Sequence, residues 1–484
     1  MVLTRRRSLA RAPRDRVTAP LTHAALRDAE PSVFWLDREG FDHRRVPLTA
    51  DTDCDLLVVG GGYTGLWAAL QAIERDPGRD VVVIEAATTA FGASGRNGGF
   101  CDASLTHGIA NGVSHFPDEI ALLLRLGREN LDGFEASLKR HNIDADFERT
   151  GQISVANAPW QVAGFRSECE QLVSYGEDAE VLDRDQLRAR VRSPQFLGGV
   201  LHRSNNALVD PAKLCRGLAT ACEQLGVRIF DGTRCTGLIA DGAMVAASTS
   251  NATIRAGKVV LATNAFPGLV PAIRRRVVPV WDYVLMTEPL TAEQRSTIGW
   301  AGREGLSDAA NLFHYFRLTQ DNRILWGGYD ALYYFNDRVD MARRGECAKT
   351  FDLLAQQFFA TFPQLEGVRF THRWGGPIAT TSRFCATFGT AMQGRVSFSV
   401  GYTGLGVGAS RFGARVALDL LDEPRSELLG LDFVRSAPLP FPPEPVRYFG
   451  IQMTRRAIAR CDANEGRRGI WLKMLDRFGV GFDS

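Results

Sequence analysis

Residues 55–85 read DLLVVGGGYTGLWAALQAIERDPGRDVVVIE, and the fold class turns on this stretch. Leu56 to Val59 is a short apolar run, the length of a buried strand. It enters Gly60-Gly61-Gly62-Tyr63-Thr64-Gly65, after which Leu66 to Glu74 has helical spacing. The β-branched run Val81 to Ile84 completes a β-α-β unit, the opening of a parallel sheet. Gly60 permits the tight turn, Gly62 lets the backbone approach a pyrophosphate, and Gly65 lets the helix pack close to the strand. The phosphate lies on the helix N-terminus, at Tyr63 and Thr64, where free N–H groups and the positive dipole end meet it. Glu85 closes the second strand 20 residues after Gly65, as a ribose-hydroxyl acceptor should. An acid there prefers an unphosphorylated ribose over NADP.

This pattern alone does not separate NAD from FAD. A second glycine cluster, Gly92-Ala93-Ser94-Gly95-Arg96-Asn97-Gly98-Gly99, lies just beyond the ribose-binding acid. Ser94 and Arg96 can meet phosphate oxygens, Asn97 sits beside them, and Gly98 and Gly99 can pass a flat ring. NAD enzymes have no need of this second cradle, so the cofactor expected is FAD. Arg96 is placed equally well to contact substrate.

Composition narrows the class. A chain of 484 residues exceeds what one core usually supports. A net charge of +2 gives no field that recruits nucleic acid. No apolar run approaches the roughly 18–20 residues needed to span a bilayer. Nine scattered cysteines without a Cys-x-x-Cys suit reduced thiols in a cytoplasmic protein, with neither a disulfide frame nor a metal site. The arginine-rich residues 1–16 read as a disordered start to an N-terminal arm.

The expected architecture is mixed α/β and α+β: an interrupted Rossmann-type FAD-binding domain with an antiparallel-sheet substrate domain. Residues 51–110, 200–270 and 371–425 are assigned to the FAD-binding domain, and 111–199 and 271–370 to the substrate-binding domain. The arm covers 1–50. A Pro-rich and helical extension occupies 426–484, with a basic amphipathic helix around 446–460.

Three further stretches, Val259 to Ala265, Arg373-Trp374-Gly375-Gly376-Pro377 and Gly401 to Gly408, complete a likeness. Together with the two glycine clusters they resemble the D-amino-acid oxidase, glycine oxidase and sarcosine oxidase superfamily, and within it the gamma-glutamylputrescine oxidase-like group. The resemblance implies that Thr263 and Asn264 end a strand beneath the cofactor and that Gly376 lies near the flavin. It also implies that Gly404, Leu405, Gly406 and Val407 pass the flavin pyrimidine edge. The helix that follows would turn its positive end toward the reduced ring.

By the same resemblance, the reaction oxidises a C–N bond of an amine or N-substituted amino acid by hydride transfer to flavin N5, and the imine is hydrolysed. His314, Tyr315, Trp326, Tyr329 and Asp330 are the candidates for contact with substrate, in the strands that resemble the family's active-site pair. Strand alternation puts His314 and Phe316 on one face, Tyr315 and Arg317 on the other. Sarcosine oxidases carry a lysine over flavin N5, where this chain, aligned by the Gly-Tyr that follows, has Trp326. Their carboxylate-binding lysine is here Gly408, and their flavin-anchoring cysteine has no counterpart near Gly375-Gly376. The flavin is therefore expected to be held non-covalently, the substrate to be a longer or differently charged amine, and the electron acceptor to be O2 or another. Other readings are a dehydrogenase or monooxygenase on another small molecule and a non-catalytic flavoprotein scaffold. A monooxygenase usually carries a late Gly-Asp flavin motif, which Gly401 to Gly408 lacks.

Overall fold

The computed structural model describes residues 21–480 apart from 42, 43, 267, 337 and 338, with only the backbone of residue 342. The expected disorder of residues 1–16 lies outside the described residues. The strand Thr52–Val59 pairs in parallel with Val81–Ile84 on one side and Thr253–Leu261 on the other. Arg228–Phe230 and Val396–Val400 extend this parallel core, and Thr387–Ala391 adds an antiparallel edge. Alternate residues face opposite ways, and both faces are buried. Leu56 and Val58 meet the helices Tyr63–Arg75, Pro211–Gln224 and Gly406–Asp422, whereas Leu57 and Val59 join Val245, Ile254 and Ala379. A parallel sheet covered on both sides has this unbroken apolar sequence.

The second sheet is mostly antiparallel. Its order is Leu332–Tyr333, Val278–Thr287, Ile324–Gly328, His314–Leu318, Gly305–Asp308, Gln152–Ala156, Gly198–His202 and Ala179–Leu182. Phe370–Thr380 pairs with the whole length of Val278–Thr287. One face packs Trp281, Tyr283, Phe316 and Trp326 onto Phe351 and Phe358 of the helix Ala348–Thr361. The other face, with Asp282, Val284 and Tyr315, looks toward the glycine clusters of the first sheet.

Two strands sit across the expected domain boundaries. Gly198–His202 and Phe370–Thr380 belong to the antiparallel sheet, although 200 and 371 were expected to open dinucleotide segments. Ile120–Arg140, expected with the substrate domain, packs its Phe134 and Leu138 into the core of the parallel sheet. An amphipathic helix declares that one face is buried; it does not declare against which sheet. The helices Val446–Ala463 and Ile470–Arg477 of the C-terminal extension lie over the outer end of the space between the sheets.

Candidate active site

Between the two sheets lies a cavity of about 1360 Å³. Its inner end is built by backbone. The helix Tyr63–Arg75 begins at Gly62 with no side-chain cap, and the Tyr63 N–H donates to Ser94 Oγ at 2.9 Å. A Cβ on Gly65 would stand 1.9 Å from the Gly60 carbonyl oxygen, and one on Gly60 (φ +120°) would stand 2.6 Å from Ala262 O. Neither glycine lines the cavity; they let helix and strand close up so that Gly62, Tyr63 and Thr64 can line it. The Thr64 hydroxyl donates to Tyr402 Oη at 3.0 Å, tying this helix to the loop before the helix Gly406–Asp422. Glu85 accepts from the N–H groups of Gly61 and Ala87, both at 2.9 Å, and burial pushes its pKa up.

The helix Gly406–Asp422 aims a second uncapped N-terminus into the same space, with Gly404, Leu405, Gly406 and Val407 on the cavity wall. Buried helix ends carry unsatisfied N–H groups, and two ends converging on one cavity make it an anion site. Gly408 could not carry a lysine, because a Cβ there would lie 2.2 Å from the Asp102 carbonyl oxygen.

The second glycine cluster divides in function. Ser94, Arg96, Asn97 and Gly98 line the cavity, while Gly99 lies beneath it against Val209 and Arg317. The Asn97 amide donates to Ala93 O and Ser94 O and accepts from the Gly99 N–H, so its side chain braces the loop. Arg96 donates to Phe91 O at 2.9 Å and Gly375 O at 3.4 Å but has no carboxylate partner among the described residues. Burial lowers its pKa to about 10. It remains a cation in need of an anion. Gly376 lies against the Arg96 stem and lines the cavity, as does Asn264, whose Oδ1 accepts from the Gly401 N–H at 3.4 Å; Thr263 does not line it.

The opposite wall is the free face of the antiparallel sheet. Tyr315 Oη donates to Asp282 Oδ2 at 2.5 Å, and Asp282 Oδ1 accepts from the Tyr283 N–H at 2.8 Å. Desolvation raises the Asp282 pKa to about 6 against the opposing effect of the Tyr315 hydroxyl. A Cβ on Gly98 would stand 2.7 Å from the Tyr315 ring, so this carboxylate–phenol pair lies directly across from the glycine cluster.

Of the five catalytic candidates, only Tyr315 lines the cavity. His314 points the other way, with Nδ1 2.6 Å from Asp308 Oδ2 and Nε2 2.9 Å from Gln357 Oε1. Trp326 stacks on His314 at 4.7 Å between ring centres and packs among Phe316, Phe358 and Phe362. It is core and does not line the cavity. Tyr329 also stacks on His314. Asp330 pairs with Arg455 of the C-terminal extension at 2.8 Å and accepts from Thr350. The parity read from the strand was right, but the aromatic cluster belongs to the face covered by Ala348–Thr361.

Sequence reasoning missed Asp282. Its signal was a lone acid inside the apolar strand VPVWDYVLMT, where an unpaired carboxylate is costly unless used. Asp102, Gln152, Ser154 and His202 also line the cavity and were not singled out.

A family model described as DAO, FAD dependent oxidoreductase, matches residues 55–420. The chain belongs to this family. Gamma-glutamylputrescine oxidoreductase of Escherichia coli strain K12 is 33% identical over 379 residues, covering 77% of this chain and 85% of the relative. A probable oxidoreductase OrdL of Haemophilus influenzae is 28% identical over 410 residues, 82% of this chain and 90% of the relative. Among solved structures, glycine oxidase from Geobacillus kaustophilus aligns with a TM-score of 0.65 at 19% identity, over 79% of this chain and 99% of that one, which is a likeness of fold. DAO-family enzymes bind FAD, typically non-covalently, and the chain is an FAD-dependent oxidoreductase acting on amines or amino acids. The residues fit the group: two helix ends, an Arg96 without a carboxylate partner among the described residues and glycines whose Cβ atoms would collide all face or shape one cavity. Glu85, outside its lining, braces the glycine turn through the Gly61 N–H. Among the described residues no helix is long and apolar enough to cross a membrane, and no cluster of His, Cys, Asp or Glu suits a metal.

Proposed function

We propose that this protein oxidises the C–N bond of an amine that carries no carboxylate on the reacting carbon. The observation behind this reading is the Asp282–Tyr315 pair on the cavity wall facing the glycine cluster. An amine loses hydride from the carbon beside nitrogen, and positive charge develops on that nitrogen. Asp282 stabilises this charge in a site shielded from bulk water, and Tyr315 fixes the carboxylate. Bound FAD would supply the hydride acceptor, and the imine released would be hydrolysed.

The cations around the cavity support an amine over an amino acid. Arg455 is paired with Asp330 and Arg447 with Glu444, and we assign Arg96, beside Gly376, to the cofactor. A substrate carboxylate beside Asp282 would meet a like charge. The relative named for gamma-glutamylputrescine points the same way. We further propose a cytoplasmic site of action, with O2 or another acceptor taking the electrons.

Anaerobic mixing of the holoenzyme with diamines, N-acyl diamines, N-alkyl amino acids and α-amino acids tests the reading. Bleaching of the flavin by the first two classes and not by α-amino acids is expected; bleaching by α-amino acids alone would overturn it. Readmitted air then separates oxidase from dehydrogenase by the rate of re-oxidation.

A further inference from the structure

The cavity is longer than one small amine needs. Its floor runs along a single face of the antiparallel sheet: Tyr315 is opposite Ser307, Ser307 opposite Ser154, and Gln152, two residues before Ser154, opposite His202. From the Asp282 strand to the His202 strand the sheet order takes five steps. At about 4.8 Å per step that is roughly 24 Å between backbones, shortened by side chains at both ends.

The far end is polar. Glu168, on the helix Pro159–Ser174, lines it, and its carboxylate has neither an ion pair nor a hydrogen bond among the described residues. Glu168 is exposed by surface area, and nearby protein still pushes its pKa up. The His202 ring likewise lines this end without a hydrogen-bond partner, and burial lowers its pKa to about 4, so it is neutral and has a free acceptor nitrogen. The neighbouring Glu177 is satisfied by Arg128 at 2.5 Å. Apolar side chains line the cavity as well, among them Trp160 and Leu172 and, from the C-terminal helices, Ile451, Ile458 and Leu475.

We infer that Glu168 and His202 form a distal subsite that binds a second cationic group of the substrate, so that the preferred substrate is a long amine with a second ammonium across an aliphatic spacer. This rests on the proposed amine chemistry at Asp282 and adds a separate recognition point. A carboxylate without a counter-ion on the cavity lining offers an arriving ammonium a charge partner, and the imidazole accepts one of its N–H bonds. A spacer of methylenes can pack against the apolar side chains of the lining.

The test is equilibrium binding to the oxidised holoenzyme, followed by calorimetry, of 1,4-, 1,8- and 1,12-diamines and of the monoamines of equal length. The wild type is expected to bind at least one diamine ten-fold or more tighter than its matched monoamine. Glu168→Gln should reduce that preference to within three-fold while leaving the monoamine affinity and flavin spectrum unchanged, and His202→Phe should reduce it in part. A preference below three-fold at every length in the wild type overturns the inference, as does a preference that survives in Glu168→Gln. Flavin reduction by the same monoamines is the separate readout for the chemistry. If binding shows the preference but no amine bleaches the flavin, the chemical reading fails and the subsite stands.

Discussion

Replacing Asp282 with Asn tests the catalytic reading most directly. The change keeps the size of the side chain and an acceptor for the Tyr315 hydroxyl, and removes only the charge. With its pKa held at about 6, Asp282 is about 99% ionised at pH 8. A hydrogen bond to a charged group contributes roughly 1.5–3 kcal/mol, and each 1.36 kcal/mol is a factor of ten in rate, so kcat/KM should fall about 10- to 150-fold. Anaerobic stopped-flow measurement of flavin reduction from pH 5.5 to 9 provides the assay. In the wild type the rate should fall below about pH 6 as the carboxylate takes up its proton. That limb should be missing from Asp282→Asn. Tyr315→Phe should move the limb upward, because the hydroxyl it removes stabilises the ionised carboxylate. By the same energies the shift is about 1–2 pH units. An Asp282→Asn enzyme with an intact flavin spectrum that reduces within three-fold of the wild type at pH 8, or keeps the same acid limb, refutes the reasoning.

Other outcomes follow from the same geometry. Burial places the folded-state pKa of Asp282 above its ordinary value of 3.8, so this group's contribution to stability falls as pH rises from about 4 to about 6 and stays low above that. Asp282→Asn should accordingly melt above the wild type at pH 8, with the gain shrinking as the pH is lowered through 6; an unchanged difference in Tm across that range contradicts the burial argument. Trp326→Phe should cost about 1–3 kcal/mol of stability through a partly emptied core, and so lower Tm, yet leave flavin reduction within three-fold, whereas a tryptophan over the flavin would alter the rate. Gly65→Ala sets a methyl group 1.9 Å from the Gly60 carbonyl oxygen, and the purified protein should contain little flavin by its absorbance near 450 nm (about the usual band). Glu85→Gln should weaken FAD binding about ten-fold in a titration of the apoprotein, since the amide turns a donor toward the Gly61 or Ala87 N–H.

How much was legible in advance differs along the chain. The dinucleotide cradle is local: strand, glycine turn, helix and acid lie within 31 residues, and backbone sterics at Gly60, Gly62 and Gly65 follow from spacing alone. The second cluster shared this advantage in part. Its glycines and Arg96 were recognisable, but that Asn97 spends its amide bracing the loop depended on where Ala93 O and Ser94 O came to rest.

The substrate wall is the opposite case. The amino-acid order determined parity, placing Tyr315 with Arg317 and His314 with Phe316, because side chains alternate on any strand. It could not say which parity meets the cavity. That choice was made by the helix Ala348–Thr361, which covers the His314 and Trp326 face, and by Gly98, which leaves room for the Tyr315 ring on the other. Asp282 lies 33 residues from Tyr315, and the cavity they share with Glu168 and His202 draws on strands whose neighbours are set by long-range pairing. A local motif fixes the backbone that holds a cofactor; a substrate site made of side chains from distant strands exists only once the sheet has chosen its covered face.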